Sequence, residues 1–197
     1  PSPDGGLQSI DDPVVAEKVN SAVRSAFRAF AESHARSPAL AEAMATLLFV
    51  FLGAGTVVVT GNLLGEPLTA ARLVAIALAH GLAITILVAA TARISGGHVN
   101  PAVTFAAFVA GKMKLIPGVS YVVAQLVGGT AGAWLLTLVI PGPALGTLGA
   151  HGLGAGVTLL GGLVTEIILT FILVFTVLAT AMDPRGPGHL APVAIGL

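Results

Sequence analysis

From Ala43 to Gly65 the chain carries no charged residue, and three more long apolar runs follow with at most one acid in each. A helix needs about 20 mainly apolar residues to cross a hydrocarbon core of about 30 Å. Four stretches meet that demand: Leu40 to Thr60, Leu73 to Ala92, Leu115 to Ile140 and Val157 to Met182. The acids and bases inside them are Glu42, His80 and Glu166, and Leu190 to Leu197 reads as the start of a fifth span. Lipid offers the backbone no hydrogen-bond partners, so each span must satisfy its own amides as a helix. The expectation is an all-α, multi-pass integral membrane protein, with the lipid bilayer as its solvent.

Composition excludes the alternatives. The 197 residues are 55% hydrophobic and 9% charged, with a mean hydropathy of +0.96, values of a chain solvated by lipid and far from the about 25% charge of soluble domains. Nine Lys and Arg balance nine Asp and Glu without a basic face, so nucleic acid is not an expected partner. Cysteine is absent, which removes disulfides and thiolate metal sites. No nucleophile set, metal-ligand cluster or phosphate loop is visible, so neither an enzyme nor a cofactor is expected.

Residues 1–38 form a separate N-terminal segment of ordinary soluble composition. After a loose Pro/Gly/Ser/Asp opening, Asp12-Pro13 reads as a helix start, and Val15, Val19, Ala22, Val23, Ala26 and Phe30 recur at helical spacing. Glu17, Lys18, Arg24 and Arg28 occupy the opposite face. This amphipathic helix fits either the membrane surface or a solvated leader on the cytoplasmic ends of the bundle. The chain opens on Pro1 with no signal-peptide pattern, and a trimmed or partial sequence is expected. Cytoplasmic loops carry the excess of Lys and Arg. Every Lys and Arg except Arg72 falls on one side of the four spans, so the N-terminus is expected in the cytoplasm.

The spans repeat. Glu42, Thr46, Val50 and Phe51 match Glu166, Thr170, Val174 and Phe175 at one common offset, and Val74-Ala75-Ile76-Ala77-Leu78 resembles Val193-Ala194-Ile195-Gly196-Leu197. The copies lie an odd number of spans apart, so the second enters from the opposite side, as in inverted-topology repeats. A full second copy needs the rest of a fifth span, a second re-entrant segment and a sixth span of about 20 residues. The natural chain is therefore expected to continue past Leu197, leaving the second repeat incomplete here and the chain as given unable to form a whole pore.

Between the second and third spans stands Ser95-Gly96-Gly97-His98-Val99-Asn100-Pro101-Ala102-Val103. Asn is a strong N-cap, Pro suits the first helical position and Gly111 can end the helix. Residues 101–111 would span about 16 Å, half of the hydrocarbon core. The irregular Ser/Gly/Gly approach can lie at membrane depth only if it is buried or lines a cavity. There its carbonyls can accept hydrogen bonds from a permeant molecule, and Asn100 can cap with its oxygen while its N–H groups donate. An isolated Asn-Pro would read instead as an ordinary turn before a surface helix.

Ser95 through Val103 resembles the first signature motif of the major intrinsic protein (aquaporin) family, and its Ser-Gly-Gly-His-Val form is closest to tonoplast-type members. Ala41-Glu42, Ala79-His80, Ala124-Gln125-Leu126-Val127-Gly128, Glu166-Ile167-Ile168-Leu169-Thr170 and the Ala191 to Leu197 segment extend the likeness over residues 40–197. The resemblance implies an aquaporin-like right-handed helical bundle with an inverted repeat and a re-entrant half-helix. It further implies a homotetramer of passive pores for water and small neutral solutes such as ammonia, urea, glycerol or peroxide. The cell membrane is the expected location, with the vacuolar membrane as the alternative.

Residue by residue, the resemblance makes Asn100, Pro101 and Ala102 the pore signature, and Ser95, Gly96, Gly97, His98 and Val99 the pore-lining loop. It makes Glu42 and Glu166 braces of re-entrant loops, and His80 a member of the selectivity filter. The plainer readings are interfacial glutamates and a histidine buried between helices. Gly53, Gly55, Gly128, Gly129, Gly132, Gly161 and Gly162 allow close helix approach, within the bundle or between subunits. A secondary transporter with inverted repeats, or a non-conducting truncated membrane protein, are the rival functions.

Overall fold

A computed structural model describes residues 17, 18, 20–23, 25, 37–65 and 67–197. The chain divides into two units, Pro1–Ser37 and Pro38–Leu197. In the first, the described residues 17, 18, 20–23 and 25 are helical and Ser37 is not. The rest of the expected amphipathic helix, including Asp12-Pro13, Val15, Val19, Arg24, Ala26, Arg28 and Phe30, lies outside the described residues.

The second unit is built of helices and turns, with no strand among the described residues. Helix α1 is Pro38–Val58 and continues as a π-helical turn over Val59–Leu63. Helix α2 is Ala70–Thr91, α3 the short Pro101–Val109, α4 Leu115–Val139, and α5 Leu159–Val177 with a π-helical end at Leu178–Met182. A 3-10 turn at Gly188–Leu190 leads into α6, Ala191–Gly196. Counted with their π-helical ends, α1, α2, α4 and α5 are long and apolar enough to cross a membrane. They overlap the four expected spans, with ends that differ by a few residues where caps and π turns decide the boundary.

The starts follow from local chemistry. Pro38 occupies the first turn of α1, where its missing N–H costs no hydrogen bond. Thr69 and Thr158 cap α2 and α5 by accepting the N–H groups of Arg72 and Gly161 at 3.2 and 3.0 Å. The ends of α1 and α5 repeat each other. Their π segments stand at the same offset as the Val74 and Val193 pentapeptides, so the repeat read in the side chains is also present in the backbone.

Helices α1 and α4 pack most extensively, and two glycines decide how closely. A Cβ on Gly128 would collide with the backbone of Ala43, and one on Gly132 with that of Leu47. The Gly128-x-x-x-Gly132 face of α4 therefore belongs to the contact inside the bundle, the arrangement small residues permit where lipid supplies no hydrophobic drive. Gly81 of α2 and Gly196 of α6 meet in the same way. By contrast α5 buries only Val177, and Leu163, Ile167, Phe171 and Phe175 stand exposed, as side chains solvated by lipid can.

Candidate functional site

The short helix α3 is capped as its sequence requires. Asn100 is extended, with φ −144° and ψ 127°, and its Oδ1 accepts the N–H of Ala102 at 2.8 Å. Pro101 takes the first turn. At the other end the N–H of Lys112 reaches the carbonyl of Ala107 at 2.8 Å, and that of Gly111 reaches Phe108 at 3.0 Å. Gly111 has φ +69°, so the helix closes in a Schellman motif with Gly111 outside it. The expected half-helix to Gly111 thus ends at Val109.

Behind Asn100 the chain is held by one carboxylate. Oε1 of Glu42 accepts the Ser95 hydroxyl at 2.5 Å and the N–H of His98 at 3.0 Å. Oε2 accepts the N–H of Val99 at 2.6 Å and the Gln125 amide at 2.7 Å. Glu42 is wholly buried, yet four donors meet it. A buried carboxylate without partners would cost several kcal/mol, and such a set of charge-assisted bonds offsets that.

The network extends outward. The Gln125 amide also donates to Thr104 Oγ1 at 3.0 Å, His98 Nδ1 lies 3.1 Å from that same oxygen, and Tyr121 donates its hydroxyl to the Ser95 carbonyl at 2.9 Å. The Thr46 hydroxyl reaches the Val99 carbonyl at 3.4 Å. No buried side-chain nitrogen or oxygen among the described residues lacks a partner.

The loop backbone needs this support. Val99 has φ +52°, a left-handed conformation that a β-branched residue rarely adopts. Gly97 has φ +65°, and a Cβ there would stand 3.2 Å from the Val88 carbonyl and the Thr91 hydroxyl, so its glycine is required twice over.

Part of the loop borders open space. A cavity of about 260 Å³ is lined by His80, Gly97, His98, Val99 and Asn100, with Phe49, Ile84 and Val103 as apolar walls. Among the described residues the carbonyls of Gly96, Gly97 and His98 accept no hydrogen bond, and the Asn100 Nδ2 donates none. His80 enters from α2, its Nδ1–H donating to the Ile76 carbonyl at 2.8 Å. A carbonyl can only accept, so Nδ1 carries a proton.

The fold thus gathers Glu42, His80 and Ser95 to Ala102 at one place. Glu166 is exposed on α5 and makes no hydrogen bond among the described residues. Sequence reasoning gave no role to Thr46, Thr104, Tyr121 or Phe49, and quoted Gln125 only as part of a motif. Large polar side chains inside an apolar span were the available signal for Gln125 and Tyr121.

These features define an integral, multi-pass helical membrane protein with a capped half-helix folded back between its second and third spans. The chain belongs to the major intrinsic protein family, whose model matches residues 30–197. It is 50% identical over 161 residues to "Aquaporin TIP2-1" of Arabidopsis thaliana, covering 80% of this chain and 63% of that protein. It is 48% identical over 161 residues to "Aquaporin TIP1-1" of Zea mays, with the same 80% and 63% coverage. "Aquaporin TIP2-3" of Zea mays is 44% identical over 180 residues, covering 88% of this chain and 71% of that protein. The chain therefore spans less than two thirds of the length of the first of these relatives.

Proposed function

We propose that the protein of which these residues are part is a passive transmembrane channel for water, passing small neutral solutes such as ammonia, urea, glycerol or peroxide as its filter allows. The observation that carries this reading is the cavity edge at Gly97 to Asn100, with free carbonyls beside a free amide donor. A water molecule crossing there can donate to the carbonyls and accept from Asn100, exchanging bulk hydrogen bonds one for one. The walls of Phe49, Ile84 and Val103 offer no second row of partners. The α3 N-terminus carries about half a positive charge, which opposes cations and protons at the same point.

In this account Asn100, Pro101 and Ala102 are the pore signature, Ser95 to Val99 the lining loop and Glu42 its brace. His80 is a filter residue. Glu166 is the matching brace of the second repeat, by its place in the repeat. Residues 39–197 form the channel domain and 1–38 a cytoplasmic N-terminal segment. The whole protein assembles as a homotetramer with one pore per subunit. The cell membrane is the assigned location, and the tonoplast-type motif favours the vacuolar membrane as a second reading.

Channel and transporter separate on energy coupling. The described spans offer Glu42, Arg72, His80 and Glu166 as ionisable acids or bases; Glu42 is consumed by the loop, and Arg72 donates to Thr60 Oγ1 and the Val57 carbonyl at the end of α1. Uptake of labelled urea or ammonia into proteoliposomes should be unchanged when ion gradients are collapsed by ionophores. Uptake that requires a gradient would favour a secondary transporter.

A further inference from the structure

The ring of His80 rests in a recess of α1 that only glycine leaves open. Gly53 is buried and stands behind the ring, outside the cavity lining. A Cβ on Gly53 would lie 2.5 Å from His80 Nε2, 2.7 Å from Cδ2 and 3.1 Å from Cε1. The three heavy atoms nearest that missing Cβ all belong to His80. Gly128 and Gly132 differ in this respect, since the atoms nearest their missing Cβ are helix backbone.

The backbone conformation does not ask for glycine at this position. Gly53 sits in the interior of α1 without a positive φ, where glycine costs the helix about 1 kcal/mol relative to alanine. One helical turn earlier, Phe49 meets the same imidazole edge to face, with centroids 5.8 Å apart and planes at 80°. On its other side the ring is tied to α2 through the Ile76 carbonyl. Phe49 and Gly53 thus form two sides of a seat, and the open side is the cavity.

We propose that Gly53 is a positioning residue that draws the His80 ring back against α1 and so sets the largest neutral solute the pathway admits. This rests on the channel reading above. A methyl group at position 53 occupies the recess, and the ring, anchored at Nδ1, can yield only toward the cavity. The pathway narrows at its histidine while the loop held by Glu42 stays as it is.

The test compares the protein with its G53A, H80A and G53A/H80A variants in proteoliposomes, measuring urea and water permeabilities and the ¹⁵N resonances of His80 by solid-state NMR. G53A should lower the urea-to-water ratio by about tenfold, the scale on which one methyl group alters a close-fitting site. In the H80A background the same substitution should change nothing, because the space is then vacant. The His80 ring resonances should move in G53A. If G53A fails to fold, G53A/H80A should restore folding. An equal loss of urea permeability with and without His80, unshifted ring resonances in folded G53A, or a double variant that also fails to fold would each overturn the proposal. Wild-type vesicles no more permeable than empty ones would sink the channel reading instead, and the NMR comparison and folding rescue would still decide the role of Gly53.

Discussion

Glu42 accepts the backbone N–H of Val99 at 2.6 Å, and Val99 sits at φ +52° immediately before the capping Asn100. The strained residue and the residue that holds it are 57 positions apart in sequence. Such a conformation costs about 1–3 kcal/mol and persists only where the surroundings over-determine it. Oε2 and the Thr46 hydroxyl bind the peptide groups on the two sides of Val99, its N–H and its C=O.

Glu42→Gln should therefore loosen the loop without emptying the site. An amide presents one acceptor oxygen and an NH2 where four donors now converge, so donors are left facing donors. Each orphaned buried donor costs about 1–3 kcal/mol. The expected outcome is a clearly lower thermal midpoint in detergent and reduced water permeability. An unchanged midpoint would remove Glu42 as the brace.

Asn100→Asp separates capping from selectivity. Aspartate caps helices as well as asparagine does, so stability should hold. The substitution removes the free Nδ2 donor and puts negative charge at the α3 N-terminus, so water flux should fall or cation conductance rise. Planar-bilayer recording together with vesicle shrinkage tests this, and a variant indistinguishable from wild type in both would refute the assigned role.

Two glycines should respond oppositely to enlargement. Gly128→Val drives a side chain into the backbone of Ala43, and overpacking typically costs about 1–3 kcal/mol, with more where the obstacle is backbone. Gly152 has nothing within 4 Å of its missing Cβ and no positive φ, so Gly152→Ala should leave the melting temperature where it is. Similar thermal shifts in both would mean that α1 and α4 are not closed by Gly128.

Outside the spans, Asp183 and Arg185 form a paired fork at 2.8 Å, and the guanidinium holds the Asp183 carboxyl below the usual carboxylate range. A depressed pKa in the folded state contributes stability above the unfolded value, which is lost as pH falls through the lowered one. The pair is solvent-exposed, so that contribution is small. Asp183→Asn should leave the thermal midpoint at neutral pH nearly unchanged, while an NMR titration of Asp183 should run below that of an ordinary aspartate. A carboxyl titrating at the ordinary value would contradict the pairing.

Much of this was legible in the sequence because it is local. Span positions follow from uncharged runs, and the start of α3 follows from Asn100-Pro101. Its stop falls short of the expected Gly111, because the Schellman turn leaves that glycine just outside the helix. The partners that hold the loop were not legible. Ser95, His98 and Gln125 find Glu42 across 53, 56 and 83 positions, the first two through the loop that folds back before α3 and the third through the crossing of α1 with α4. Gly53 and Gly128 look alike as glycines in apolar helices. Which serves an imidazole and which a neighbouring backbone depends on how each helix is rotated in the bundle.

The most direct test is stopped-flow light scattering of proteoliposomes under an osmotic gradient, with empty vesicles as reference. The account predicts shrinkage well above the lipid baseline, with no accompanying proton or cation leak, and slower shrinkage in Glu42→Gln. Shrinkage no faster than that of empty vesicles, or flux accompanied by ion conductance in the wild type, would contradict it.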